Sequence, residues 1–177
     1  MNVTSSRGGT VTAVGWQANA AMPATSEPVF LPADGAFSNR MAFNYKLQAP
    51  QQYTGAALQI DGLPQANGNS QPEDLSGYKE MSFDMEADGP HFVRVQLLSL
   101  KTNLTVVPGN EAFVQIDVKP GFQNYRIPMK KFAIPNSAPP NSAGVKAILK
   151  QVTGMQFATN EAGSSGHIII DNVIFQK

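Results

Sequence analysis

The sequence predicts an all-β fold, a β-sandwich with at most one short helix, and three observations lead to that prediction. Short stretches alternate between apolar and polar residues at every second position, which is the period of strands with one buried face. Glycine and proline, 15 and 13 residues respectively, separate many of these stretches. Residues 144–150 form the best candidate for a helix, about two turns long. Many short strands separated by turns favour a sandwich over a parallel α/β sheet.

The strand pattern recurs along the chain and predicts eight or nine strands. The stretches are residues 9–17, 40–47, 54–60, 81–86, 91–98, 111–118, 122–127, 153–159 and 168–175. The last of them contains IIIDNVIF, which is nearly continuous in apolar residues and therefore predicts a central strand. Residues 18–35 contain three prolines and predict an extended loop, because proline is poorly tolerated inside a ladder. Turn-forming residues predict further loops at 61–74, 101–110 and 129–143.

Residues 75–100 form the centre of this pattern and predict a β-hairpin. Two alternating runs flank Asp88-Gly89-Pro90, a sequence typical of a tight turn. The apolar positions of both runs predict one buried face. The polar positions predict a shared outer face made of Asp84, Glu86, Arg94 and Gln96.

Composition and charge limit the classes of function. The 177 residues suit a single domain, 1–177, with a substantial core. Thirteen basic and thirteen acidic residues give zero net charge, which argues against nucleic acid or an anionic membrane as the main partner. The chain has no cysteine, which excludes disulfides and thiolate chemistry. No run approaches ~20 apolar residues, and the low charge with many Gln, Asn, Ser and Thr predicts a secreted or periplasmic domain.

The strand sequences resemble a known family over residues 75–175. The order DLSGY…MSFDME…VRVQLLS…FQNYRIPMKKF…VTGMQFAT…GHIIIDNVIF is similar to that of carbohydrate-binding modules with the galactose-binding-like jelly-roll fold. The resemblance implies a noncatalytic module of a larger secreted protein, covalently attached to a catalytic domain such as a glycoside hydrolase. It implies binding of a polysaccharide or oligosaccharide across one sheet. It also implies a structural calcium, with Asp171 of the last strand among its ligands.

Sugar binding requires flat apolar surfaces and planar polar groups, and the predicted outer positions supply both. The predicted ligand-binding residues are Asp84, Arg94, Gln96, Gln115, Phe113, Trp16 and Tyr53. Asp117, Gln59 and Gln156 share the outward positions. The alternative is that these residues only solvate an exposed sheet, with Arg94 and Asp84 as a cross-strand ion pair.

Catalysis has little support in the sequence, and we expect no enzyme activity. The chain lacks the GxSxG, HExxH and P-loop motifs in their proper context. Asp84, Glu86 and Asp117 leave open a pair of carboxylates, as glycoside hydrolysis requires. The leading interpretation is therefore a binding module. The alternatives are a structural or protein-interaction domain, such as an adhesin or accessory domain, and a small jelly-roll enzyme that degrades polysaccharide.

Overall fold

A computed structural model describes residues 3–4, 10–17, 27–32, 39–47, 53–61, 72–99 and 110–177, with side chains in 41–47, 53–55, 72–99 and 110–177. Within these ranges the chain forms eleven strands, a 3₁₀ turn at Met129–Lys131 and one short helix, α1 (Val145–Leu149). The strands are β1 (Val3–Thr4), β2 (Thr10–Gln17), β3 (Glu27–Pro32), β4 (Asn39–Lys46), β5 (Thr54–Asp61), β6 (Glu80–Asp88), β7 (Phe92–Leu98), β8 (Glu111–Asp117), β9 (Gln123–Pro128), β10 (Gly154–Thr159) and β11 (Ser165–Gln176). The predicted all-β class and the single short helix are confirmed.

The strands form two antiparallel sheets. The six-stranded sheet has the order β1-β2-β5-β10-β7-β8, and the five-stranded sheet has the order β3-β4-β11-β6-β9. β11 lies in the middle of its sheet, as its apolar sequence predicts. No helix in the described part of the chain is long and apolar enough to cross a bilayer.

The core lies between the inner faces of the two sheets. Phe83 of the five-stranded sheet stacks on Tyr125, with ring centroids 5.5 Å apart. It also meets Phe157 of the six-stranded sheet edge to face at 5.1 Å. Such ring contacts stabilise by about 0.5–1.5 kcal/mol beyond their burial and fix how the sheets face each other. The remaining core combines the aromatic side chains of Phe43, Tyr45 and Phe132 with Met, Leu, Ile and Val, and most of it is supplied by alternate positions of β4, β6, β7, β10 and β11.

The predicted hairpin at 75–100 is wrong. β6 pairs with β11 and β9 in one sheet, whereas β7 pairs with β10 and β8 in the other. Residues 89–91 therefore carry the chain across the sandwich. Alternation correctly identifies the buried positions of both strands, but it does not identify the partner of each strand. Two strands that face each other across a core show the same pattern as two strands of a hairpin.

The predicted loop at 18–35 is also partly wrong, because β3 lies within it. β3 pairs only with β4 and forms an edge of the five-stranded sheet. An edge strand tolerates Pro28 and Pro32, since its outward side needs no ladder donor. The predicted loops at 61–74 and 101–110 fall largely outside the described residues.

Candidate functional site

The outer face of the six-stranded sheet carries most of the predicted binding residues. Two cross-strand rows on it define the surface that we call the Arg94 face. The first row follows β2, β5, β10, β7 and β8 through Trp16, Gly55, Ala158, Arg94 and Gln115. The second passes through Val14, Ala57, Gln156, Gln96 and Phe113. At ~4.8 Å per strand, each row spans roughly 19 Å, which suits an extended polymer better than one small molecule.

Arg94 is held in a fixed position on this face. Its guanidinium carbon lies 3.9 Å above the ring centroid of Phe113, in a cation–π contact. Its Nη2 donates a long hydrogen bond of 3.5 Å to Oε1 of Glu111. The register explains the stack, because Arg94 is opposite Gln115 and thus diagonal to Phe113 on the neighbouring strand.

Glu111 connects Arg94 to Gln96. Nε2 of Gln96 donates to Oε2 of Glu111 at 2.8 Å, so the two carboxylate oxygens accept from two different outer-face side chains. Gln96 is only 8% exposed, so this hydrogen bond orients an amide that has little contact with water. Glu111 is absent from the predicted binding residues, although it shares the outward alternation of Phe113 and Gln115. It is the first residue of β8, where alternation alone does not distinguish strand from loop.

One donor on the Arg94 face lacks an acceptor. Nε of Arg94 is buried and has no hydrogen-bond partner among the described residues. An unsatisfied buried donor costs about 1–3 kcal/mol, more when charged. The Arg94 side chain as a whole is 33% exposed, so the face is chemically suited to a ligand with oxygen acceptors.

The structure brings together four of the seven predicted binding residues. They are Arg94, Gln96, Phe113 and Gln115. Arg94 covers one face of the Phe113 ring, so Phe113 supports the guanidinium and offers a ligand only its remaining surface. Gln115 is exposed at the end of the first row.

Trp16 and Tyr53 belong to the far side of the same sheet. Trp16 is opposite Gly55 in the first row, and its side chain lies outside the described part of the structure. Tyr53 precedes β5 and is 46% exposed. Between Trp16 and Arg94 the row contains only Gly55 and Ala158, both buried, so its middle lacks large side chains.

The prediction that Asp84 shares a face with Arg94 is wrong. Asp84 belongs to β6 of the five-stranded sheet and points outward on the opposite side of the sandwich. Its carboxylate accepts from Nδ2 of Asn124 at 2.7 Å and from Nδ2 of Asn172 at 2.8 Å. The proposed Asp84–Arg94 ion pair is therefore replaced by an Arg94–Glu111 contact. The error follows from the hairpin prediction, which placed both residues in one sheet.

Asp171 lies opposite Asp84 on β11, at the start of a bulge. It is 8% exposed, and its Oδ1 accepts from the backbone N–H of Asn172 at 2.8 Å. Calcium takes six to eight oxygen ligands. Within the described ranges no three His, Cys, Asp or Glu residues converge on one point. The calcium ligand role of Asp171 stays a prediction.

The outward carboxylates of the Arg94 face are poorly arranged for glycoside hydrolysis. Glu111 and Asp117 stand at opposite ends of β8, six residues apart. At ~3.4 Å per residue their backbones are about 20 Å apart, whereas the catalytic pairs of glycosidases are ~5–9.5 Å apart. Asp84 and Glu86 lie on the other sheet.

Comparison with solved structures identifies the fold. No protein-family model and no curated protein matches the chain. A family 11 carbohydrate-binding module of a cellulosomal cellulase from Clostridium thermocellum is similar with a TM-score of 0.65 at 16% identity, covering 93% of this chain and 86% of that one. The same module in complex with a β-1,3-1,4-mixed-linked tetrasaccharide gives a TM-score of 0.65 at 16% identity, with 93% and 88% covered.

A second module family agrees with the first. A family 30 carbohydrate-binding module has a TM-score of 0.57 at 11% identity, covering 99% of this chain and 95% of that one. Identities this low establish fold rather than ligand. The chain therefore has the β-sandwich fold of these carbohydrate-binding modules, as the resemblance in its sequence implies.

Proposed function

We propose that the chain is a noncatalytic carbohydrate-binding module that holds a polysaccharide on the Arg94 face. The observation that carries the proposal is the Arg94 guanidinium, a charged donor group that is held on the sheet and whose side chain is 33% exposed. Phe113 and Glu111 hold the guanidinium in place, so a ligand hydroxyl meets a donor that needs no reorganisation. Gln115 adds an exposed amide at the end of the same row.

The ligand and the setting of the module belong to the same proposal. The β-1,3-1,4-mixed-linked tetrasaccharide in complex with the Clostridium module makes a polymer with those linkages the first ligand to test. The module would be secreted or periplasmic, because polymers such as mixed-linkage β-glucan lie outside the cell that degrades them. Weak binding by the module would keep a covalently attached glycoside hydrolase close to the polysaccharide, because it raises the effective concentration of the enzyme at its substrate.

Affinity gel electrophoresis tests this proposal. Mixed-linkage β-glucan, xylan, galactomannan and agarose are each cast into native gels, and migration is compared with that in a gel without polysaccharide. The wild-type chain should be slowed by at least one polymer. Arg94→Ala should weaken binding to that polymer roughly tenfold to a hundredfold, which is the loss of one hydrogen bond to a charged donor.

Lys150→Ala is the control, because Lys150 is an exposed cation outside both the Arg94 face and the cluster of cations that includes Arg126. Phe113→Ala should weaken binding as well, since it removes the ring beneath Arg94. Thermal melts establish that each variant is folded. Unchanged binding by Arg94→Ala would remove the Arg94 face from the proposal, and absence of binding to a broad glycan array would favour a protein-interaction domain instead.

A further inference from the structure

Positive charge is concentrated at one end of the sandwich, where β6 begins and β9 and β11 end. The residues that define this cationic end are Lys79, Arg126, Lys130, Lys131 and Lys177, and all five are exposed. The whole chain carries no net charge, so this concentration reflects how the fold arranges its charges.

Backbone hydrogen bonds hold three of these chain segments side by side. The N–H of Lys79 donates to the carbonyl of Gln176 at 2.8 Å, and the N–H of Met129 donates to the carbonyl of Lys79 at 2.8 Å. Lys177 and Lys130 are the next residues on the two flanking segments. Adjacent strands lie ~4.8 Å apart, so these lysines stand well within a Debye length of ~8–10 Å.

Few carboxylates balance this charge among the described residues. Glu80 lies 3.7 Å from Arg126 and offsets its charge, so the four lysines carry the unbalanced charge of the cationic end. Asp74 accepts from Ser76 and lies near Lys150, a lysine outside the cationic end. No described carboxylate forms an ion pair with Lys79, Lys130 or Lys131. Like charges at this spacing repel each other, and a polyanion would relieve that repulsion.

We propose that the cationic end is a second binding surface, which takes a polysaccharide bearing carboxylate or sulfate groups. Four of the five cations are lysines, which act as hydrated point charges on flexible stems. Such groups suit a polymer with repeated, widely spaced anions better than the planar bidentate recognition for which arginine is used. The surface is separate from the Arg94 face, where the two carboxylates of Glu111 and Asp117 outnumber the one arginine.

The same residues disfavour other polyanions. Binding of single-stranded nucleic acid relies on exposed aromatic rings for base stacking. Tyr78, the ring at this end, packs edge to face on Phe175 and lies beneath Nζ of Lys177. Binding in a membrane interface requires a continuous apolar face, whereas Ile174 is the one large exposed hydrophobic residue of the described ranges near these cations.

Two polymers with one backbone but different charge test the proposal: carboxymethylcellulose and hydroxyethylcellulose. The wild-type chain is titrated with each at 20 mM and 150 mM salt. At 20 mM salt, carboxymethylcellulose should bind more tightly than hydroxyethylcellulose. Its affinity should fall when the salt is raised to 150 mM. The triple variant Lys79→Gln/Lys130→Gln/Lys131→Gln should bind it about tenfold more weakly, the effect of three exposed contacts of a few tenths of a kcal/mol each.

A second triple variant provides the charge-matched control. Lys119→Gln/Lys146→Gln/Lys150→Gln removes the same number of exposed charges outside the cationic end and should bind within about twofold of wild type. The Lys79→Gln/Lys130→Gln/Lys131→Gln variant should keep wild-type retention by the neutral polymer in affinity gels, so failure of the Arg94 face and failure of the cationic end are distinguishable. Equal losses in both triple variants, or no binding by wild type at low salt, would overturn the proposal. Tighter binding to anionic vesicles or single-stranded DNA would overturn the assignment to polysaccharide.

Discussion

At the scale of single residues, two glycines determine how closely the crossover between the sheets approaches β11. Gly89 has φ of +103°, a conformation that other residues rarely adopt. A Cβ atom on Gly89 would overlap the carbonyl oxygen of Ser165, and one on Gly166 would overlap the carbonyl oxygen of Asp88. Two backbone segments therefore meet at a distance that leaves no space for a side chain on either.

Substitution of Gly166 by alanine should destabilise the fold strongly. The new methyl group would meet backbone atoms of Asp88 and Gly89, which cannot turn aside as a flexible side chain can. We expect a loss of about 2–4 kcal/mol in the free energy of unfolding, measured by urea denaturation. Gly77→Ala is the control, since nothing lies within 4 Å of the added atom, and it should change stability by less than ~1 kcal/mol. Equal stability of Gly166→Ala and wild type would contradict this packing.

At the scale of elements, a carboxylate joins three strands of the five-stranded sheet on its outer surface. Asp84 of β6 accepts from Asn124 on β9 and from Asn172 on β11. Asn172 has φ of +51° and lies in the bulge between Asp171 and Ile174, where the β11–β6 register shifts. Bulges leave residues unpaired and increase twist. The Asn172–Asp84 bond therefore fixes the irregular part of β11 to its neighbour.

Removal of this carboxylate should lower stability and leave glycan binding intact. Asp84→Ala removes the acceptor of two amides at the surface, where water partly replaces it, so we expect a loss of about 1 kcal/mol. The measurement is chemical denaturation together with affinity electrophoresis on the best glycan. Asp117→Ala, another exposed strand carboxylate, should stay within about 0.5 kcal/mol of wild type. A loss of glycan binding in Asp84→Ala would return Asp84 to the binding site and contradict its separation from Arg94.

The same elements explain how far the sequence predicts this molecule. Alternation correctly separates Met81 and Phe83 from Asp84, because burial of one face has a direct sequence period. It does not reveal that Asp84 and Arg94 lie on different sheets, because strand pairing is set by contacts between distant segments. Glu111 is missed because its role depends on Gln96 and Arg94 of a neighbouring strand. The pairing of strands and the contacts between side chains of neighbouring strands are therefore visible only in the structure.

At the scale of the whole molecule, two of the connections that cross between the sheets are tied to each other. His91 lies in the connection from β6 to β7, and Glu161 lies in the connection from β10 to β11. The backbone N–H of His91 donates to Oε2 of Glu161 at 2.7 Å, and its Nδ1 contacts Oε1. The carbonyl of His91 also accepts from the N–H of Val118 beyond β8. This end of the sandwich is thus closed by contacts among three loops.

The Glu161 contact should make stability depend on pH. The hydrogen bond from the His91 backbone, followed by that from its ring, lowers the pKa of Glu161 below its ordinary value of 4.5. The folded state therefore favours the carboxylate more than the unfolded chain does. This stabilisation is fully present above the unfolded pKa and is lost as the pH falls through the lowered folded pKa. Glu161→Gln should cost about 1 kcal/mol at pH 7, a value reduced by the partial exposure of the pair.

The pH profile separates this mechanism from a general loss of packing. Wild type and Glu161→Gln are denatured with urea at closely spaced pH values. The difference between their free energies of unfolding should be constant from pH 7 down to the ordinary pKa of the carboxyl, and should shrink below it. His91→Ala keeps the backbone donor, which is the larger cause of the shift, so it should lose less stability than Glu161→Gln while showing a pH dependence of the same sign. If this difference in the free energy of unfolding stays constant through the acidic range, Glu161 stabilises the fold through its shape rather than its charge. In that case the two connections are held together by packing alone.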